Sequence, residues 1–118
     1  MRKEDASVAM EKAEDSPLKR LSTRISLESE CSVCHQKSRK KFVGKVSNLS
    51  IGGLKAFTSA DIYTGDLLQL EFQLGKNLIK LSGIVIRVSG NSFIIRNVYS
   101  SLEEKNKLLK YIYSYLSA

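Results

Sequence analysis

The chain has 118 residues, 42% of them hydrophobic, and a formal net charge of +7. That length supports one domain with a real core and leaves no room for two comfortable ones. No wholly apolar run exceeds three residues, far short of the roughly 20 that cross a bilayer, and Glu4 and Asp5 interrupt the basic start before any signal-peptide core develops. No membrane insertion and a cytoplasmic location are therefore expected, with the two cysteines as free thiols.

Residues 1–18 carry three basic and five acidic side chains and lack an apolar face thick enough for a stable helix, which predicts a flexible tail. Residues 19–118 carry sixteen basic against seven acidic side chains and form the predicted domain. Its charge favours an anionic partner.

From Ile25 the hydrophobic period is two. Ile25, Leu27, Ser29, Cys31 and Val33 share one face, and Ser26, Glu28, Glu30 and Ser32 share the other, which predicts a half-buried strand over 25–33. Cys31, Cys34 and His35 have haem-attachment spacing, but the chain has no second His to ligate iron. On a strand the two cysteines would also point to opposite faces. One Cys-x-x-Cys-His group is half of a structural zinc site, so Cys31 reads as a core residue, and Cys34 and His35 as the start of a basic loop containing Lys37, Arg39, Lys40 and Lys41. No metal or cofactor is expected.

Further strands are predicted over 42–49, 54–57, 66–74, 78–88 and 93–98, separated by turns at Ser50 to Gly53, Gly75 to Asn77 and Ser89 to Asn91. In the fourth, Leu68, Leu70, Phe72 and Leu74 face one way; in the fifth, Gly83 allows a bulge or bend. Ser101 and Glu104 have capping-box spacing, and Leu102, Leu109, Ile112 and Leu116, with Tyr113, predict the apolar stripe of a closing helix. Six strands with short connections point to an all-β antiparallel barrel or sandwich with a C-terminal amphipathic α-helix.

No nucleophile elbow or phosphate loop is present, and Glu28 and Glu30 read as a solvated strand face rather than an acid/base pair. A binding module, not an enzyme, is expected. Two motifs remain: Arg20-x-x-x-Arg24, before the first strand, and Asn48-x-Ser50-x-x-Gly53, between the second and third. As isolated pieces they are a basic tail and an ordinary turn, with Asn48 and Ser50 bonding nearby backbone and Gly53 at positive φ.

Together, in this order and spacing, they resemble the PilZ domain, a receptor module for cyclic di-GMP, over residues 19–116. The resemblance implies a six-stranded β-barrel closed by a C-terminal helix. It assigns Arg20 and Arg24 to phosphate and guanine, Asn48 and Ser50 to guanine, and Gly52 and Gly53 to an unobstructed backbone. It also places Lys19 where a neighbouring residue influences whether one or two ligand molecules bind. Asn48 stands where the family more often has Asp; an amide still accepts from guanine N1 or N2 but lacks the charge.

The implied function is a stand-alone cyclic di-GMP (c-di-GMP) receptor whose N-terminal arginine segment becomes ordered on binding and signals to a separate, unidentified downstream protein. One alternative is a PilZ-fold interaction module with weak or no nucleotide binding. The other is a small basic RNA- or DNA-binding barrel, for which the basic loop offers few aromatic side chains to stack bases.

Overall fold

The computed structural model describes residues 24–117. Six strands, β1 (Ile25–His35), β2 (Lys41–Leu49), β3 (Gly53–Phe57), β4 (Leu67–Leu74), β5 (Asn77–Ser89) and β6 (Ser92–Val98), precede one helix, α1 (Leu102–Ser117). They form a closed barrel in the order β1-β2-β3-β6-β5-β4, antiparallel at every seam. Closure gives every strand a hydrogen-bonded neighbour on both sides.

The period-two residues fill the interior. Leu68, Leu70, Phe72 and Leu74 of β4 are all buried, and Val33, Val46, Phe93 and Ile95 meet them from other strands. At roughly 1.5–3 kcal/mol per buried large apolar side chain, this packed interior is the main stabilising term. The barrel is a filled core, and ligand space lies on its outside.

Three expectations change. First, β1 does not end at Val33: Cys34 pairs with Lys41 and Gln69, and His35 lies opposite Leu68. The His35 N–H donates to the Lys40 carbonyl at 2.8 Å and Arg39 takes φ 64°, so the basic loop shrinks to residues 36–40.

Second, Gly83 is not at the bulge. The β5–β6 register slips between Val85 and Arg87, which leaves Ile86 as the extra residue. Gly83 is instead a close-approach position, where a Cβ would lie 2.6 Å from Ile95 Cδ1 and 2.8 Å from the Arg96 carbonyl oxygen.

Third, α1 presents a different face to the barrel. Leu108 and Ile112 are buried, and Leu109, Tyr111 and Tyr115 pack beside them, whereas Leu102 and Leu116 are exposed. The N-terminus follows the expected cap in part: Ser101 Oγ accepts the Glu104 N–H at 3.1 Å, but the Glu104 carboxylate reaches the Ser100 N–H at 2.7 Å rather than that of Ser101.

Register slips also occur in β1 between Ser26 and Ser29, and between β2 and β3, where Ser47 is the extra residue between Val46 and Asn48. Strict alternation from buried Val46 would turn Asn48 inward and Leu49 outward. The extra residue reverses that phase, so Leu49 is buried and Asn48 shares the outer face with its partners Ser26 and Lys55.

Candidate functional site

A cleft of about 490 Å³ opens on the outer face where β2, β3, β5 and β6 come together. Arg24 enters it from just ahead of β1, and Asn48 from the phase-shifted end of β2. The turn of residues 50–53 forms one wall, Lys55 and Arg96 extend from β3 and β6, and Ile86 and Ile94 supply apolar surface. Among the described residues no acidic side chain lines the cleft. Three cations, Arg24, Lys55 and Arg96, line it with no acidic partner among the described lining residues, which suits an anionic ligand.

The turn is held from within. The Ser50 N–H donates to the Gly53 carbonyl at 2.9 Å, and Ser50 Oγ accepts the Gly53 N–H at 3.2 Å. Ser50 therefore shapes the turn that presents it. Gly53 is not at positive φ; it begins β3 opposite Arg96, and a Cβ there would lie 2.7 Å from the Ile95 carbonyl oxygen. Gly52 has a different reason: no described residue lies within 4 Å of the Cβ position, which leaves its backbone open on that side.

A second layer supports the turn from β6. Asn97 Nδ2 donates to the carbonyls of Ser50 at 3.0 Å and Ile51 at 3.1 Å, and to the Tyr99 hydroxyl at 3.2 Å. The Tyr99 hydroxyl in turn donates to the Ile51 carbonyl. Burial pushes the Tyr99 phenol up, against a smaller downward pull from Asn97, so it stays a protonated donor through neutral pH.

The PilZ domain model matches residues 18–114, a range that includes every residue lining this cleft. The chain belongs to the PilZ domain family. Solved structures agree on the fold. The chain is similar to the PilZ domain of CeSA from a cellulose-synthesizing bacterium, with TM-score 0.66 and 17% identity over 79% of this chain and 97% of that one. It is also similar to the PilZ domain of YcgR from Escherichia coli solved with c-di-GMP, with TM-score 0.64 and 19% identity over 80% of this chain and 89% of that one. The longer YcgR structure in complex with c-di-GMP gives TM-score 0.65 and 21% identity over 78% of this chain and 43% of that one. No curated protein sequence matches the chain.

Of the motif residues of this PilZ domain, Arg24, Asn48, Ser50, Gly52 and Gly53 line the one cleft. Lys19 and Arg20 lie outside the described residues. Sequence reasoning missed Lys55, Arg96, Ile86 and Ile94, which reach the cleft through strand register. Lys55 had one local signal: it lies two residues after Gly53, on the same strand face.

The Cys-x-x-Cys-His group plays no part in the cleft. Among the described residues no three His, Cys, Asp or Glu side chains gather to hold a metal. His35 instead faces Asp66, with Nε2 3.3 Å from its carboxylate, while His35 Nδ1 accepts the Ser38 N–H at 3.3 Å. No helix among the described residues is long and apolar enough to cross a membrane.

Proposed function

We propose that this PilZ domain, residues 19–118, is a receptor for cyclic di-GMP, a binding module rather than an enzyme. The observation that carries the reading is the convergence of Arg24, Asn48, Ser50, Gly52 and Gly53 on one cation-rich cleft. Its volume of about 490 Å³ falls within the ~300–1,000 Å³ range of small-molecule sites. PilZ structures holding c-di-GMP are among its structural neighbours, which supports the choice of ligand.

The chemistry follows from the ligand's two phosphates and two guanines. A guanidinium forks onto guanine O6 and N7 or onto phosphate, the roles given to Arg20 and Arg24. The Asn48 amide accepts from the guanine N1 or N2 edge, and Ser50 offers its hydroxyl beside it. Ile86 and Ile94 provide a flat apolar flank for a purine, and Lys55 and Arg96 add charge for phosphate. The role given to Lys19, immediately ahead of Arg20 in the sequence, is to supply charge for a second stacked ligand. Binding fixes the segment containing Arg20 across the cleft and so changes the surface offered to a separate downstream protein.

Isothermal titration of the full chain with cyclic di-GMP tests this reading. Arg20→Ala and Ser50→Ala should each weaken binding, Arg20→Ala by about tenfold or more, the loss of one charge-assisted contact. Absence of heat at micromolar wild-type protein would leave a PilZ-fold interaction module as the function. Unchanged affinity in both variants would move the site elsewhere.

A further inference from the structure

Asn97 and Tyr99 lie outside both motifs, yet their side chains hold the second motif's turn. Asn97 Nδ2 reaches the Ser50 and Ile51 carbonyls, the Tyr99 hydroxyl reaches Ile51, and the Asn97 backbone N–H donates to the Gly52 carbonyl at 2.9 Å. The orientation of the amide is determined: flipped, its oxygen would face two carbonyl oxygens. In this orientation Asn97 Oδ1 is buried and finds no partner among the described residues.

The consequence lies on the other side of the turn. In a planar trans peptide the N–H points opposite to the C=O that precedes it. With the carbonyls of Ser50 and Ile51 drawn toward Asn97 and Tyr99, the N–H groups of Ile51 and Gly52 are turned the other way. Ile51 and Gly52 line the cleft and Asn97 and Tyr99 do not, and the open space at Gly52 lets an acceptor approach closely.

We infer that Asn97 and Tyr99 are positioning residues of the nucleotide site: by clamping the Ser50 and Ile51 carbonyls they aim the Ile51 and Gly52 amides into the cleft, as donors to a phosphate or guanine oxygen. This rests on the cyclic di-GMP reading for the ligand, but the clamp itself does not.

The test compares wild type, Tyr99→Phe and Asn97→Ala as full chains. Residue-resolved amide exchange by NMR without ligand reads the clamp, calorimetric titration with cyclic di-GMP reads affinity, and Tm is recorded for each. Tyr99→Phe, the milder change, removes the hydroxyl's bonds to Ile51 and Asn97; it should lower Tm by roughly 4–8 °C, speed exchange at Ser50 and Gly53, and weaken binding by roughly threefold to tenfold beyond what that Tm loss accounts for. In wild type the Ile51 and Gly52 amide resonances should shift on saturation, and the shifts should shrink in both variants. Unchanged exchange in Tyr99→Phe overturns the clamp. Unmoved Ile51 and Gly52 amides, or affinity lost only in proportion to Tm, overturns the positioning role. If wild type gives no heat, the ligand reading fails, and the exchange comparison still decides the clamp.

Discussion

Cys31 is 3% exposed, and burial pushes its thiol from 9.0 up to about 11, with the Gly44 backbone contact pulling down and Glu30 adding a smaller upward push. The folded chain therefore holds this proton more tightly than the unfolded chain does. Stability from this residue is complete below pH 9 and is lost as pH rises from 9 toward 11. At ~1.4 kcal/mol per unit the loss is on the order of 2–3 kcal/mol. Tyr99, also raised by burial from 10.0, adds to the decline only above its own ordinary value. Chemical denaturation across pH 8 to 11 should thus show a fall beginning near 9 in wild type, and Cys31→Ala, less stable at neutral pH, should be flat until about 10. A wild-type profile flat between 9 and 10 would show that the thiol ionises as easily folded as unfolded. The same burial explains the haem-like spacing: a core thiol lies three residues before a strand-end Cys-His pair, and His35 is occupied with Asp66.

At the scale of elements, α1 shows how a correctly placed helix can present the wrong face. Leu102, Leu109, Ile112 and Leu116 form a helical stripe, but the stripe that packs is Leu108, Tyr111, Ile112 and Tyr115 with Leu109 beside them, so Ile112 and Leu109 are shared while Leu102 and Leu116 are left exposed. Tyrosines carry a large apolar ring with a polar tip, so a reading that ranks leucines first undercounts the second stripe. The choice is made by the chain's exit from β6 and by the Ser100–Glu104 and Ser101–Glu104 cap, which fix where the helix begins. Ile112→Ala should destabilise the domain by ~2–5 kcal/mol, whereas Leu102→Ala, at a side chain 71% exposed, should stay within about 0.5 kcal/mol of wild type. Urea midpoints of the two variants decide between the faces: comparable losses would mean that α1 packs along the leucine stripe after all. The barrel strands were easier to read, because β1 and β4 alternate without ambiguity and turn residues separate the rest. The odd spacing of Val46 and Leu49 marks a phase break in β2, but the positions of the bulges at Ser47 and Ile86 were not legible, since a slip of register belongs to a pair of strands.

For the whole molecule, the legible part of the site is the part that is local in sequence. Arg24 stands next to a strand start, and Asn48 through Gly53 is a single turn, so spacing alone could join them through a family resemblance. Lys55, Arg96, Ile86 and Ile94 come to the cleft only when the barrel closes, and Asn97 and Tyr99 support it from behind by contacts 46 to 48 residues apart. Closure therefore converts a diffuse positive charge into a local one, with Arg24, Lys55 and Arg96 around one opening. Two consequences follow for a ligand that binds the folded barrel and not the unfolded chain. At about 100 times Kd it should stabilise the fold by ~2.7 kcal/mol, which for a domain of this size raises Tm by roughly 10–20 °C. Because exposed cations meet phosphate across a short Debye length, ~10 Å at 0.1 M salt and ~3 Å at 1 M, the same ligand concentration should give a smaller rise at high salt. Arg96→Gln should lower the rise at 0.1 M and flatten its dependence on salt, while Asn48→Ala, which removes a neutral side chain from the cleft, should lower the rise but leave that dependence as steep as in wild type. Thermal scans of the three proteins with and without cyclic di-GMP, at low and high salt, measure both effects. A wild-type shift indifferent to salt would mean that the cations gathered by closure do not meet the phosphates.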